Sequence, residues 1–364
     1  MNTASATVGQ PSMIVPPPGG EGVVLSVKNL VKHFDLKKSM FALSGLSLTV
    51  KAVDDVSFDI HVGEVLGLVG ESGCGKTTTG RLITRLENPT RGRIDFLGRD
   101  IANLKGSEMV AFRRYIQMIF QDPYESLNPR FTVYRAVADP LNVLGIGEKE
   151  ERVDLVVDAL EEAGLRPATE LLGRFPHELS GGQRQRVAIA RALVVKPRFI
   201  VADEPVSMLD VSIRAGVMNL MLELRDKYDI PFLFITHDIS VARYMSDNIG
   251  VMYLGRLSES GPTEEVITHP AHPYTRALLA AVPVPDPDHE YPPIPILGEL
   301  PSPINIPKGC RFHTRCVFAT QLCREIEPWH IEVSPGHTAL CHFATDFYSM
   351  GPYRPPPEPL KREG

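Results

Sequence analysis

Apolar and polar positions in the first quarter of the chain predict strands that lead into a glycine-rich loop. Val23–Leu30 has a strand pattern, and Val53–Ile60 alternates apolar with polar residues, as a half-buried strand does. Val65–Val69 is a short apolar run with the length of a buried strand. The glycine-rich loop follows directly, and Thr77–Leu86 beyond it is predicted to form a helix.

The middle of the chain, residues 122–178, is predicted to be a helical insert. Apolar and acidic residues fall on opposite faces at helical spacing. The apolar positions are Val153, Val156, Val157, Leu160 and Ala163, and the acidic ones are Asp154, Asp158, Glu161 and Glu162. Strand–helix alternation resumes at Phe199–Ala202 and Phe232–Thr236, which predicts a parallel sheet with crossover helices.

Composition narrows the classes of protein to which the chain can belong. Its 364 residues are 43% apolar and carry a formal net charge of −6, which is typical of a globular protein and disfavours wholesale nucleic-acid binding. No stretch approaches the roughly 18 uninterrupted apolar residues of a membrane helix. The N-terminus has no secretory signal pattern, so we expect a cytosolic protein that meets a membrane only through partners.

The two ends of the chain differ in composition from its centre. Residues 1–22 are rich in Pro, Gly, Ser and Thr and are predicted to be a disordered tail. From about residue 268 prolines become frequent and cysteines appear. We therefore predict an appended module over 268–349 and a flexible, proline-rich tail over 350–364.

The loop after Val65–Val69 fits the phosphate-binding pattern G-x-x-x-x-G-K-[ST]. Its glycines allow consecutive backbone N–H groups to face phosphate oxygens, and the helix that follows directs its positive end at the anion. Lys76 can neutralise the β- and γ-phosphates, and the Thr77 hydroxyl can bind Mg²⁺. Cys74 has no evident base partner, so we interpret it as tolerated rather than catalytic. The predicted contacts to ATP are Gly70, Ser72, Gly73, Cys74, Gly75, Lys76, Thr77 and Thr78.

A second set of candidate residues follows the predicted strands. The apolar run Phe199–Ala202 ends in Asp203 and Glu204, two carboxylates that repel each other unless a cation or a function compensates. Asp203 is placed to hold Mg²⁺ and Glu204 to act as the general base on the attacking water. His237 follows another strand and is a candidate contact to the γ-phosphate. Gln121, after a third apolar run, is unremarkable on its own.

A second phosphate cradle is predicted where Leu179–Gln183 opens the helix Arg184–Leu193. Ser180, Gly181, Gly182 and Gln183 stand at the start of that helix, where backbone N–H groups favour anions. One chain rarely needs two cradles for one nucleotide. The economical explanation is a head-to-tail dimer in which each second cradle closes on the neighbour's ATP.

Taken in their order along the chain, the phosphate-binding loop, Gln121, the cradle at Leu179–Gln183, the acidic end of Phe199–Ala202 and His237 resemble the motifs of the ATP-binding cassette family. The resemblance covers roughly residues 23–267. The resemblance implies a P-loop NTPase fold with a RecA-like parallel-sheet core, an antiparallel β subdomain, a helical subdomain at about 122–178 and a small Cys-rich C-terminal extension. It further implies an ATP sandwich dimer in which Ser180 and Gly182 reach the partner's nucleotide.

The same resemblance implies roles for residues that the pattern alone leaves open. Gln121 joins Thr77 and Asp203 as a Mg²⁺ contact and links the metal to the helical subdomain. Asp210 communicates across the dimer interface. Phe34 is similar to the aromatic residue that stacks on adenine, and Phe41 is its rival.

Two further segments, Gln121–Arg130 and His272–Leu279, resemble the oligopeptide and dipeptide importers. The stretch Gly67–Thr77, with the long insert before Ala52, resembles the second of that system's two ATPase subunits. The resemblance implies a second ATPase subunit in a heterodimer, two integral membrane permease subunits and an extracytoplasmic solute-binding protein. It places the chain peripherally at the cytoplasmic face of the inner membrane, with a peptide or similar small solute as cargo and no nucleic acid.

Four cysteines near the C-terminus are a candidate metal site. Their spacing is C-x5-C-x6-C-x17-C, and four thiolates can hold either a [4Fe–4S] cluster or a zinc ion. The tight pair typical of zinc sites is absent, which favours the cluster, as does the resemblance. His313 and His342 are spare candidate ligands, although surface histidines are the commoner case. The candidate ligands are Cys310, Cys316, Cys323 and Cys341.

The sequence leaves two alternatives to a function in transport. One is a soluble cassette ATPase that acts on nucleic acid or in translation, but such proteins usually carry two fused cassettes or a long coiled coil. The other is a redox-sensing module in which hydrolysis is incidental, and the presence of both Glu204 and His237 argues against it.

Overall fold

A computed structural model describes residues 22–36, 48–282 and 296–352. Phe41 and most of the two predicted tails therefore lie outside the described residues. The strands are β1 (Val23–Leu36), β2 (Leu48–His61), β3 (Val65–Val69), β4 (Arg91–Phe96), β5 (Arg99–Asp100), β6 (Ile116–Ile119), β7 (Phe199–Asp203), β8 (Phe232–Thr236), β9 (Asn248–Tyr253), β10 (Arg256–Pro262), β11 (Ile331–Ser334) and β12 (His337–Ala339).

The helices lie mainly between the strands of the second half and in the predicted insert. They are α1 (Lys76–Ile83), α2 (Gly106–Tyr115), α3 (Pro123–Ser126), α4 (Val133–Leu144), α5 (Lys149–Glu162), α6 (Gly181–Leu193), α7 (Val211–Tyr228), α8 (Ile239–Met245), α9 (Thr263–Thr268), α10 (Pro273–Ala280), α11 (Gln321–Glu325) and α12 (Ala344–Ser349), with 3-10 turns at Ala168–Glu170 and Pro176–Glu178. None of the helices in the described ranges has the length and apolar content to cross a bilayer.

The main sheet has eight strands in the order β11-β12-β10-β9-β3-β8-β7-β6. Its segment from β9 to β6 is parallel, as the strand–helix alternation predicts. β3, β7 and β8 are buried along their full length, because helices pack on one face and α1 together with an antiparallel sheet covers the other. The carboxyl ends of these strands share one edge of the sheet, where open α/β sheets bind their ligands.

A second, antiparallel sheet has the order β2-β1-β4-β5. Its apolar face is buried with the inner face of α1 in one core cluster, which includes Leu25, Val53, Ile60, Leu82 and Ile94. The predicted antiparallel subdomain and the α/β core are confirmed. This sheet also reaches the glycine-rich loop, since the carbonyl oxygen of Ala52 borders Gly75.

The predicted insert is helical, and its apolar residues pack against α6. Val156 and Leu160 are fully buried, as predicted, together with Ala159. The prediction for Val153 is wrong, because its side chain is 39% exposed. The buried stripe of α5 starts one turn later, since the first turn of the helix projects beyond the neighbouring helices.

The C-terminal region, predicted as an appended module over 268–349, contributes strands to the main sheet. β12 pairs with β10, and β11 pairs with β12, so these residues extend the main sheet. The reason is that β10 would otherwise present an unpaired edge. A fully buried ion pair between Glu259 and His337, at 2.7 Å, adds to this junction. The C-terminal region is therefore continuous with the sheet that carries the glycine-rich loop.

Candidate active site

The loop between β3 and α1 has a backbone that only glycine adopts without strain at two positions. Gly70 has φ of 156° and Gly75 has φ of 114°. A Cβ atom would lie 2.2 Å from the Met252 carbonyl oxygen at Gly70, and 2.2 Å from that of Ala52 at Gly75. The backbone therefore turns tightly in this loop, with Ser72 and Gly73 exposed, Thr77 and Thr78 half-buried, and Cys74, Gly75 and Lys76 buried.

The Lys76 side chain lies inside this loop. Its Nζ donates to the carbonyl oxygens of Gly70 at 2.7 Å and of Glu71 at 3.0 Å. The thiol of Cys74 is 3.8 Å from the same Nζ, and burial raises its pKa. A buried thiol with a raised pKa is a poor nucleophile, which agrees with Cys74 being a tolerated residue.

Asp203 ends β7 beside the first turn of α1. Its carboxylate accepts a hydrogen bond from the Thr77 hydroxyl at 3.1 Å and is almost completely buried. Burial raises the pKa of Asp203, an effect that the bond from Thr77 opposes and the neighbouring charge of Glu204 reinforces. A buried carboxylate next to a hydroxyl is a ligand set that suits a divalent cation with oxygen ligands.

Glu204, at the end of β7, contacts residues that follow the two neighbouring strands, β6 and β8. Its Oε2 accepts a hydrogen bond from Gln121 Nε2 at 3.1 Å and lies 3.0 Å from His237 Nδ1. The backbone of Glu204 has φ of 45°, a left-handed conformation that is uncommon outside glycine and concentrates at functional sites. The structure thus brings together the three residues that the sequence places after separate strands.

The second cradle lies at the start of α6. The Ser180 hydroxyl accepts a hydrogen bond from the Gln183 N–H at 3.3 Å, and the Gln183 side chain accepts one from the Ser180 N–H at 3.0 Å. Gly181 is half-buried, and Gly182 is buried against Ile213 of α7. This capping box leaves Ser180 exposed at the helix N-terminus.

Exposed side chains surround the start of α7. Asp210 is exposed at the N-terminus of this helix, between Met208 at 62% exposure and Val211 at 81%. The start of α7 is therefore open to solvent in the single chain.

The candidate adenine contact lies at the far end of β1. Phe34 is half-buried, and the Lys32 ammonium lies 4.6 Å from its ring centroid. Its rival Phe41 falls outside the described residues, so the choice between them stays a prediction.

The sequence analysis misses two residues that contact the phosphate loop from the C-terminal region. The Glu71 N–H donates to the Tyr274 hydroxyl at 2.9 Å, and Arg315 Nη1 lies 3.0 and 2.9 Å from the two carboxylate oxygens of Glu71. The only signal for Tyr274 is its place in the His272–Leu279 segment. Arg315 has none, because it is 244 residues from Glu71.

The four C-terminal cysteines line one cavity of about 320 Å³. Burial raises the pKa of Cys310 and Cys316 to about 11 and that of Cys341 to about 12. His313 and His342 border the same cavity, where their ring nitrogens contact the carbonyl oxygens of Cys310 and Ile326. Within the described ranges, no three His, Cys, Asp or Glu side chains are grouped to hold a single metal ion.

Comparisons with known proteins agree with this geometry. Residues 53–207 match the family model of ABC transporters, and residues 258–323 match that of the oligopeptide/dipeptide transporter C-terminal region. A Brucella ovis protein named for peptide import is 49% identical over 321 residues, or 88% of this chain and 98% of that protein. The oligopeptide transport ATP-binding protein AppF of Bacillus subtilis is 48% identical over 322 residues, or 88% and 97%.

A solved structure adds a view of the fold in another state. The ATP-binding cassette MJ0796, a dimer in a post-hydrolysis state bound to ADP and Pi, is 30% identical, with a TM-score of 0.58. The match covers 66% of this chain and 98% of that one. This chain belongs to the ABC transporter family as an ATP-hydrolysing subunit, and it carries the C-terminal region of oligopeptide/dipeptide transporters.

Proposed function

We propose that this chain hydrolyses ATP to drive the import of peptides through a membrane transporter. The observation that carries the proposal is the convergence of Gln121, Glu204 and His237 beside the phosphate loop, in a chain whose relatives are named for peptide import. The alternative of a soluble cassette ATPase acting on nucleic acid has no such support. The hypothesis of a redox-sensing module in which hydrolysis is incidental has no such support either.

The phosphate loop provides the groups that bind the nucleotide. In the free loop, the Lys76 ammonium donates to the carbonyl oxygens of Gly70 and Glu71. When ATP binds, the ammonium donates instead to the β- and γ-phosphates, which are charged and therefore stronger acceptors. Thr77, Gln121 and Asp203 would hold Mg²⁺, which neutralises charge on the phosphates. Backbone N–H groups between Ser72 and Thr78 complete the cradle, and Phe34 contacts the adenine.

Glu204 is the general base in this proposal. Gln121 and His237 both contact its Oε2, so the carboxylate has a fixed direction at the sheet edge. It accepts a proton from the attacking water as the oxygen bonds to the γ-phosphorus, and ADP leaves. His237, which is more than half exposed, can then contact the γ-phosphate.

The exposed cradle at α6 serves the ATP of a second cassette. Ser180 is exposed at the start of this helix, with Gly181 half-buried beside it, and Asp210 is exposed at the start of α7. MJ0796 was solved as a dimer. We propose that the partner here is a second ATPase subunit, so that each cassette closes on the other's nucleotide.

The helical insert supplies a surface for the membrane partners. Tyr124 follows Gln121 closely, is 62% exposed and is covered on one face by the Arg184 guanidinium at 3.9 Å from the ring centroid. This aromatic residue therefore connects the Mg²⁺ side of the site to the cradle helix α6. We propose that residues 122–140 dock two permease subunits at the cytoplasmic face of the membrane, and that an extracytoplasmic solute-binding protein delivers the peptide.

Co-expression tests the transport proposal. The chain is expected to co-purify from detergent-solubilised membranes with two integral membrane subunits and a second ATPase. Once reconstituted in vesicles with a solute-binding protein, it should support ATP-dependent peptide uptake, which Lys76→Ala abolishes. Purification of the folded chain with nucleic acid, or without any membrane subunit, would contradict transport.

The cysteine cavity is a second part of the proposal. The four thiols line one cavity, and Cys310, Cys316, Cys323 and Cys341 would hold a [4Fe–4S] cluster there. A zinc ion would draw four sulfurs to about 3.8 Å from one another, given Zn–S bonds of about 2.3 Å. The tight C-x2-4-C pair typical of zinc sites is absent from the spacing of the four cysteines, which favours the cluster over zinc.

We expect the anaerobically purified chain to be brown, with broad absorbance near ~400 nm and about four irons per chain. Cys316→Ser should remove most of this absorbance, whereas Cys74→Ser should retain it, because Cys74 lies in the phosphate loop and not in the cavity. A colourless protein that contains one zinc, or no metal, would refute the cluster.

A further inference from the structure

Glu71 introduces a negative charge into the loop that binds the phosphates. It follows Gly70 directly, and its carbonyl oxygen accepts a hydrogen bond from Lys76 at 3.0 Å. An unpaired carboxylate at this point would repel a triphosphate and attract the Lys76 ammonium away from it. Some other group must therefore neutralise Glu71 for the loop to bind ATP well.

Arg315 is placed to neutralise that charge. Its Nη1 lies about equally far from both carboxylate oxygens of Glu71, and its side chain is only 9% exposed. The backbone at Arg315 is fixed as well, because its N–H donates to Phe312 and its carbonyl accepts from Leu297. The Glu71 side chain is 29% exposed, so the pair is partly shielded from solvent and is screened less by salt than a fully exposed pair.

Tyr274 fixes the backbone of the same loop residue. Its hydroxyl accepts the Glu71 N–H, and the side chain is completely buried. The ring packs against Tyr253, with centroids 4.8 Å apart, and against Phe312, at 5.5 Å. Phe312 borders the cysteine cavity, so one aromatic cluster connects the cavity to the phosphate loop.

We propose that Arg315 and Tyr274 are positioning residues of the ATP site, supplied by the C-terminal region of the chain. Arg315 cancels the charge of Glu71, and Tyr274 holds the Glu71 backbone, so that Lys76 and the loop N–H groups are free to bind the triphosphate. The inference rests on the proposed binding of ATP to this loop. Its consequence is that residues 1–267 alone form an incomplete ATP site.

Charge cancellation predicts a particular pattern among three variants of the full-length chain. Arg315→Met should raise the Kd for ATP about tenfold, because Glu71 is left unpaired beside the phosphates. Glu71→Gln should bind ATP at least as well as the wild type. The double variant should return the Kd to within about threefold of the wild-type value, since no unpaired charge remains. Calorimetric titration with ATP measures all three.

A merely structural contact would give a different result. Arg315→Met and Glu71→Gln would then weaken binding equally, the double variant would show no rescue, and the proposal would fall. Unchanged binding by folded Arg315→Met would overturn it too. If Arg315→Met does not fold, Arg315→Lys and Glu71→Gln keep the test, because weaker ATP binding by Glu71→Gln is by itself incompatible with charge cancellation.

Tyr274→Phe tests the second half of the proposal. It removes only the hydroxyl and should raise the Kd severalfold, and Glu71→Gln should not rescue it, because the lost bond is to the backbone N–H. Rescue, or unchanged binding, would contradict the role of Tyr274.

Two control variants distinguish the role of Arg315 from a general effect of the C-terminal region and from a failure of the proposed ATP binding. Glu327→Gln removes the ion pair with Arg256, which joins the same region to β10 without touching Glu71, and should leave the Kd unchanged. Lys76→Ala should abolish ATP binding. If it does not, the proposed function fails, whereas loss in Lys76→Ala with normal binding in Arg315→Met overturns only the role of Arg315.

Discussion

Glu204→Gln is expected to stop ATP hydrolysis in the assembled transporter while ATP binding persists. Glutamine keeps the size of the side chain and an oxygen that can accept the bond from Gln121, but it cannot take a proton from water. General bases contribute about 10²–10⁴-fold, so phosphate release should fall at least about 100-fold. Parallel assays of phosphate release and of equilibrium ATP binding measure the two effects.

A matched control comes from the surface of the same chain. Glu264 pairs with Arg243 on an exposed face away from the site. Glu264→Gln makes the same chemical change and should leave hydrolysis unchanged. Persistent turnover in Glu204→Gln would refute the base assignment, and loss of ATP binding would show that Glu204 acts on the nucleotide instead.

Ser180→Arg is expected to have an effect of similar size for a different reason. Ser180 is exposed and bonds only within the first turn of α6, so arginine can replace it with little disturbance beyond a lost cap of about 1 kcal/mol. In the assembled pair, however, the large side chain would lie where the partner's triphosphate must dock. Turnover should fall at least about 100-fold, as judged by phosphate release.

The control for Ser180→Arg is a helix start that faces no nucleotide. Glu148 precedes α5, is exposed, and its backbone N–H donates to the Glu151 carboxylate, as the Ser180 N–H donates to the Gln183 side chain. Glu148→Arg places the same large side chain at a helix start and should keep turnover. Normal hydrolysis by Ser180→Arg in the full transporter would contradict the second cradle.

Much of the fold follows from the sequence because its core strands are short apolar runs between turn signals. The grouping of Gln121, Glu204 and His237 is predictable for the same reason, since residues that follow parallel strands meet at one edge. The exposure of Val153 is not predictable from the sequence, because helical spacing alone does not tell which turn of α5 the neighbouring helices cover.

Long-range pairing is what the sequence does not reveal. β12 joins β10 although about 80 residues separate them, and no periodic pattern specifies that partner. The contact of Arg315 with Glu71 spans 244 residues and depends on how the chain between α10 and β11 folds back onto the phosphate loop. Contacts of this kind require the folded chain, so the sequence predicts the appended C-terminal region but not which strand and loop it contacts.

The most direct test of the account asks which polypeptide loses its nucleotide when the second cradle is damaged. The transporter is photolabelled with an azido analogue of ATP, washed, and separated into its two ATPase subunits. Ser180→Arg should remove the label from the partner ATPase and leave it on this chain, and Lys76→Ala should do the reverse. Loss of label from this chain in Ser180→Arg, with the partner fully labelled, would contradict a nucleotide held between two cassettes.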